Sequence, residues 1–224
     1  MTDYAPMTPA KPEAANLKAR LKDSGETWPE TFRVRLHRAI SWLARAEGES
    51  DDHDAQFVFL WIAFNAAYAR EFGHDEPERD RLRQFFALLL SIDAEKRLHA
   101  LLHQHFTGPI RTMLDNKFVF EPFWRALREH DANSHWEEKF AGARKVALAA
   151  LLGNDTATVL SVVFDRLYVL RNQLIHGGAT WNSSVNRAQV KDGVHILLAL
   201  VPVVIGLMLR RPEADFGEIL YPVV

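Results

Sequence analysis

Between Val159 and Leu174, aliphatic residues recur at steps of three and four (Val159, Val163, Leu167, Leu170, Leu174), which gathers them on one stripe of a helix. The opposite stripe carries Ser161, Asp165, Tyr168, Asn172 and His176, and Gly177-Gly178 directly after the histidine supplies a left-handed stop. The same period predicts a helix through Phe32, Leu36, Ile40 and Leu43, opened by Thr27 and Glu30 as a capping box. From Ala55 to Phe72 the chain is apolar nearly all round, the mark of a helix central to a core. Leu82, Phe85, Phe86 and Leu89 form a further buried face, and Asp93 caps a helix from Ala94 to His105. Gly108-Pro109 and Asn116 to Pro122 read as turns around short helices, with Phe118, Phe120, Phe123 and Trp124 as core or interface rings. A helix from His135 to Leu152 is anchored by Trp136, Phe140 and Leu148, and Gly153-Asn154-Asp155 ends it and caps the next. Asn182 and Ser183 cap a last helix, Val185 to Arg211, which Pro202 should kink. Roughly eight helices and no convincing strand make the fold class all-α, a helical bundle.

Composition narrows this picture. The 224 residues are 48% hydrophobic, enough for one sizeable core, so residues 27–224 are expected to form a single domain. Met1 to Glu26, with Pro6, Pro9 and Pro12, is expected to be a flexible tail holding at most a short helix around Leu17 to Leu21. A formal net charge of −2 excludes a broadly basic nucleic-acid binder and confines any RNA contact to a local cleft. No cysteine is present, so disulfides and thiolate metal sites are excluded and a reducing compartment is compatible. The start of the chain lacks the apolar run of a signal peptide, and Val194 to Leu209 is too short and proline-interrupted for a span, so a cytoplasmic protein without a membrane is expected. Neither a phosphate-binding glycine loop ending in Lys-Ser or Lys-Thr nor a glycine-framed nucleophilic serine occurs.

Several groups are candidates for chemistry. Arg33, Arg35, His37, Arg38 and Arg45 cluster on one helix and read as a solvated face. His99, His103 and His105 stand at chelating distance along a helix, but Ala100 occupies the place where zinc peptidases carry a glutamate, so no metal is assigned. Asn65, within the apolar helix, needs partners for its amide: a core hydrogen bond, or a supporting contact to Arg171. Arg171 can hold phosphate oxygens by paired hydrogen bonds, and His176 can move a proton near neutral pH. Five residues of ideal helix separate the two by about 140°, so they share one site only if the last turn unwinds at the glycines or a second copy supplies the partner group. Without that chemistry, both residues simply finish a helix whose dipole favours cations at its C-terminus.

Arg171-Asn172 followed by His176 and then Gly-Gly resembles the signature of the HEPN superfamily of helical domains. The wider run Arg-Asn-Gln-Leu-Ile-His-Gly-Gly-Ala-Thr-Trp, with Phe57 to Tyr68 upstream, is similar to the Apea-like subgroup. This resemblance implies an up-and-down bundle of HEPN type with additional helices, and a metal-independent endoribonuclease in which a ribose 2'-hydroxyl attacks its own phosphate at a homodimer cleft. Arg171, His176 and Asn172 would be catalytic, with Asp165, Tyr168 and Asn65 in support, and no cofactor. Ser161, Asp165, Tyr168 and Asn172 are expected to line the dimer groove. The same resemblance embraces non-catalytic members that bind RNA or a partner protein such as an antitoxin, and the sequence leaves both readings open.

Overall fold

The computed structural model describes residues 13–69, 78–131 and 133–221, with the backbone alone for residues 104–107. Ten α-helices and no strand occur among these residues, in line with an all-α fold. They are α1 (Glu13–Ser24), α2 (Glu30–Glu47), α3 (His53–Tyr68), α4 (Glu78–Ile92), α5 (Arg97–His105), α6 (Arg111–Leu114), α7 (Glu121–Glu129), α8 (Trp136–Leu152), α9 (Thr156–Ile175) and α10 (Arg187–Met208). A π-helical turn, Phe106–Ile110, leads into α6, and short 3-10 turns at Gly25–Thr27 and Lys117–Val119 precede α2 and α7.

Helix α3 lies at the centre, packed on α2, α10 and α9, as its nearly continuous apolar surface requires. Phe57, Leu60, Trp61 and Phe64 are buried, and an aromatic cluster joins α3, α4 and α9: Phe164 stands 4.6 Å from Phe64 and 4.7 Å from Phe86, ring centre to ring centre. Helix α10, the one described helix long and apolar enough to cross a membrane, has 61% of its most apolar window buried inside the bundle. Gly193 explains how closely it approaches, since a Cβ there would sit 2.7 Å from the Phe57 ring and 3.1 Å from Leu170.

The buried stripes of α2, α4 and α9 are those expected, and so are two local caps. The Asp93 carboxylate accepts from the amides of Arg97 and Leu98, while Asp155 accepts from the amide of Thr158. Five expectations are corrected. Residues 13–24 of the expected tail form a full helix whose Ala14 and Leu17 are buried and whose first amides are capped by Glu47; residues 1–12 lie outside the described residues. Thr27 ends a 3-10 turn, and α2 begins after Pro29 without a side-chain cap, so no capping box forms. Arg35 is not solvated but fully buried, donating to the carbonyls of Ala67, Ala69 and Gly217 and so satisfying the C-terminal end of α3. Leu148 is exposed; α8 packs through Ala147 and Ala150, with Trp136 and Phe140 against Phe123 and Phe120. Asn182 and Ser183 do not cap the last helix, which starts at Arg187 and has Pro202 inside it.

Candidate functional site

Helix α9 keeps its regular bonding to the end. The His176 amide still donates to the Asn172 carbonyl (3.1 Å), and His176 itself is the C-cap, leaving the helix at φ −95° and ψ 13°. The next residue turns away: Gly177 adopts φ +68°, which an L side chain rarely tolerates. The amides of Gly177 and Ala179 then return to the carbonyls of Leu174 and Gln173, closing the helix end. Gly178 is held where a Cβ would come within 3.3 Å of the Gln173 carbonyl oxygen. The last turn therefore does not unwind before His176, and ideal helical spacing sets its side chain about 140° from that of Arg171.

Arg171 is half-buried on the edge of the bundle. Its Nη1 donates to Asn172 Oδ1 (2.8 Å), and its guanidinium carbon stands 5.6 Å from the centre of the Tyr168 ring. Its Nε is buried without a partner. No carboxylate pairs with it among the described residues, whereas Arg79, Arg128, Arg144, Arg187 and Arg210 each have one. Asn172 thus orients a guanidinium whose charge is not neutralised. His176 is exposed.

Two further members of the polar stripe, Asp165 and Tyr168, are met by α4 of the same chain. Asp165 pairs with Arg79; burial pushes its carboxyl above the usual range, and Arg79 opposes that shift. Burial also raises the Tyr168 hydroxyl, with the Glu78 carboxylate adding to the effect. Asn65 sits at the level of the Phe64–Phe164 contact, roughly two turns from the Arg171 end, and its buried Oδ1 has no hydrogen-bond partner. Arg171, Asn172 and Tyr168 are brought together; His176 and Asn65 are not joined to them within one chain.

Two carboxylates absent from the sequence reading organise the segment after the glycines. Asp52 caps α3 through the amides of Asp54 and Ala55 and accepts from the indole N–H of Trp181 (2.7 Å). The Ala55 amide is the chief cause holding its carboxyl below the usual range, and the Trp181 bond acts in the same direction. Asp54, buried at 7% exposure, accepts from the Asn182 amide (2.8 Å) and pairs with Arg187 (2.6 Å). The available signal was an aspartate in the first turn of a helix that is apolar all round, because a carboxylate buried there needs a cation or amides.

At the far end of α9, a cleft of about 270 Å³ is lined by Asp93, Lys96, His99, Asn154 and Thr156 among others. His99 Nδ1 lies 3.0 Å from Thr156 Oγ1 and the His103 ring is 4.2 Å away, while the side chain of His105 lies outside the described residues. Among the described residues no three metal-ligating side chains converge. No family model, curated protein or solved structure matches this chain.

Proposed function

We propose that this is a HEPN-type helical domain that cleaves RNA without a metal, at a site completed by two copies of the chain. The observation that carries the reading is Arg171: a half-buried guanidinium, oriented by neutral Asn172 and free of any carboxylate among the described residues. A cation held in this way is suited to a phosphate, which can satisfy it with paired hydrogen bonds. His176 is exposed at the same helix end and can serve as the proton carrier. Because α9 stays helical up to it, the imidazole opposite a given Arg171 is best supplied by a second copy, which favours the homodimer cleft.

In the reaction, the imidazole of His176 takes the proton of a ribose 2'-hydroxyl as that oxygen attacks the adjacent phosphorus. The bond to the 5'-oxygen breaks, the departing oxygen receives a proton, and a 2',3'-cyclic phosphate remains. Arg171 stabilises the extra negative charge of the transition state. The same Arg171 geometry without a completing His176 supports the second reading, a module that binds RNA without cutting it.

Purified protein incubated with single-stranded RNA in excess chelator should release fragments ending in 2',3'-cyclic phosphate. Arg171→Ala should slow this by on the order of a hundredfold or more, the scale of removing one transition-state donor. His176→Ala should act as strongly. A wild type that binds RNA but leaves it intact selects the second reading, and one that does neither sinks both.

A further inference from the structure

Trp181 combines two properties that seldom occur together: it is 73% exposed, yet its indole N–H is fixed on the Asp52 carboxylate at 2.7 Å. An exposed indole normally gains by collapsing onto nearby apolar surface, and Ile175 and Val185 are both close in sequence and themselves exposed. The ring is instead held out by its edge. The backbone around it is tied down as well, by the Asn182 amide on Asp54 and by the Arg187–Asp54 pair. On the other side, the Ala179 amide is bonded to the Gln173 carbonyl. Trp181 lies two residues beyond Ala179, a backbone reach of at most ~7 Å, so the indole stands near the last turn of α9 that carries Arg171, Asn172 and His176.

We propose that Trp181 is a base-stacking subsite for single-stranded RNA bound at the Arg171 end of α9, an inference that rests on the RNA reading above. A rigid, exposed aromatic face that needs no ordering on binding is what a flipped-out base stacks on, and stacking accepts any base. Charge sets the strand's orientation. Asp52 holds the edge of the indole and repels phosphates, while Arg171 has no carboxylate partner among the described residues and attracts them. The base therefore lies on the ring while the backbone runs on the Arg171 side.

The test uses a single-stranded 2'-O-methyl oligoribonucleotide, which keeps bases and phosphates but lacks the attacking hydroxyl, with affinity read by fluorescence anisotropy. Trp181→Ala should weaken binding on the order of tenfold and Trp181→Leu nearly as much, whereas Trp181→Phe, which keeps a ring, should lose about threefold or less. An all-abasic strand of the same length should bind wild type and Trp181→Ala equally. On a cleavable RNA the substitution should raise KM and leave kcat within about twofold. Equal affinity of wild type and Trp181→Ala for the base-bearing strand would remove the subsite and leave the Arg171 reading standing; absence of any RNA binding by wild type would remove both. If Trp181→Ala instead turns a dimer into a monomer in sedimentation, the ring belongs to a protein interface and the assignment to RNA is overturned.

Discussion

Two arginines five residues apart on α9 meet opposite surroundings. Arg166 is buried at 2% exposure, with its guanidinium carbon 4.3 Å from the Phe120 ring centre and 5.3 Å from that of Phe140, and its Nη1 donates to the Val119 carbonyl at 3.4 Å. Burial lowers its pKa to about 10. Arg171, turned about 140° from it, sits at the rim beside Tyr168 and Asn172. The first is roofed by the segment before α7 and by α8, which leaves no room for a ligand; the second is left with neutral company and a path to solvent. What makes an arginine a candidate for phosphate is therefore the absence of competing partners and the presence of access, and charge or helix position alone does not supply either.

The strongest way to break this comparison is to truncate both. Arg166→Ala should lower unfolding stability by about 3 kcal/mol, since it empties a buried space beside two aromatic rings, while Arg171→Ala should stay within about 0.5 kcal/mol. Urea midpoints at constant m-value decide this, and equal losses would erase the distinction between a structural and a free guanidinium.

The floor beneath the Arg171 end is tested by Gly193→Ala. The added methyl must displace the Phe57 ring, which should destabilise the chain by about 1–3 kcal/mol in the same titration. A neutral result would mean that α3 and α10 are less tightly apposed than the rim requires.

Next to that glycine, burial alone raises the Asp192 carboxyl to about 6. With a folded pKa above the unfolded one, the folded state holds its proton more tightly, so stability should fall as pH rises from about 4 to about 6, and the full penalty should persist above it. Asp192→Asn should then stabilise the protein at pH 7 by on the order of 1 kcal/mol, given the partial exposure of the group, and by almost nothing near pH 4. An equal gain at both values would assign the effect to something other than titration.

The smallest effect is expected at the loop latch. Trp181→Phe removes one hydrogen bond to an exposed carboxylate and should cost about 0.5 kcal/mol or less. Because the Asp52 pKa is depressed in the folded state, its contribution is present above the ordinary carboxylate range and is lost as pH falls through the lowered value. Limited proteolysis should therefore cut residues 177–186 of wild type faster only in acid, and those of Trp181→Phe somewhat faster at every pH.

Much of the bundle was legible in the sequence because it is local. The stripe Val159, Val163, Leu167, Leu170 is buried as spaced, Asp93 and Asp155 cap the turns that follow them, and Gly177 takes the positive φ its place after His176 suggested. Such features depend on residues within about one helical turn of each other, which a linear pattern records directly. The candidate site was legible only in part: Arg171, Asn172 and His176 share a helix end, but the pairing of Asn172 with Arg171 and the absence of a carboxylate beside it among the described residues came only with the structure.

The sequence by itself determined where most of the helices run, which faces of α2, α4 and α9 are apolar, and that an arginine and a histidine stand near the end of one of them. Only the tertiary structure decided which charges are buried. Arg35 was expected in solvent and finds its acceptors at Ala67, Ala69 and Gly217; Arg166 finds its roof at Val119, Phe120 and Phe140; Asp54 finds Asn182 and Arg187 across more than a hundred residues. A buried charge is tolerated where distant segments bring donors, acceptors or rings to it, and that complement is a property of the packed chain, which no periodicity along it encodes.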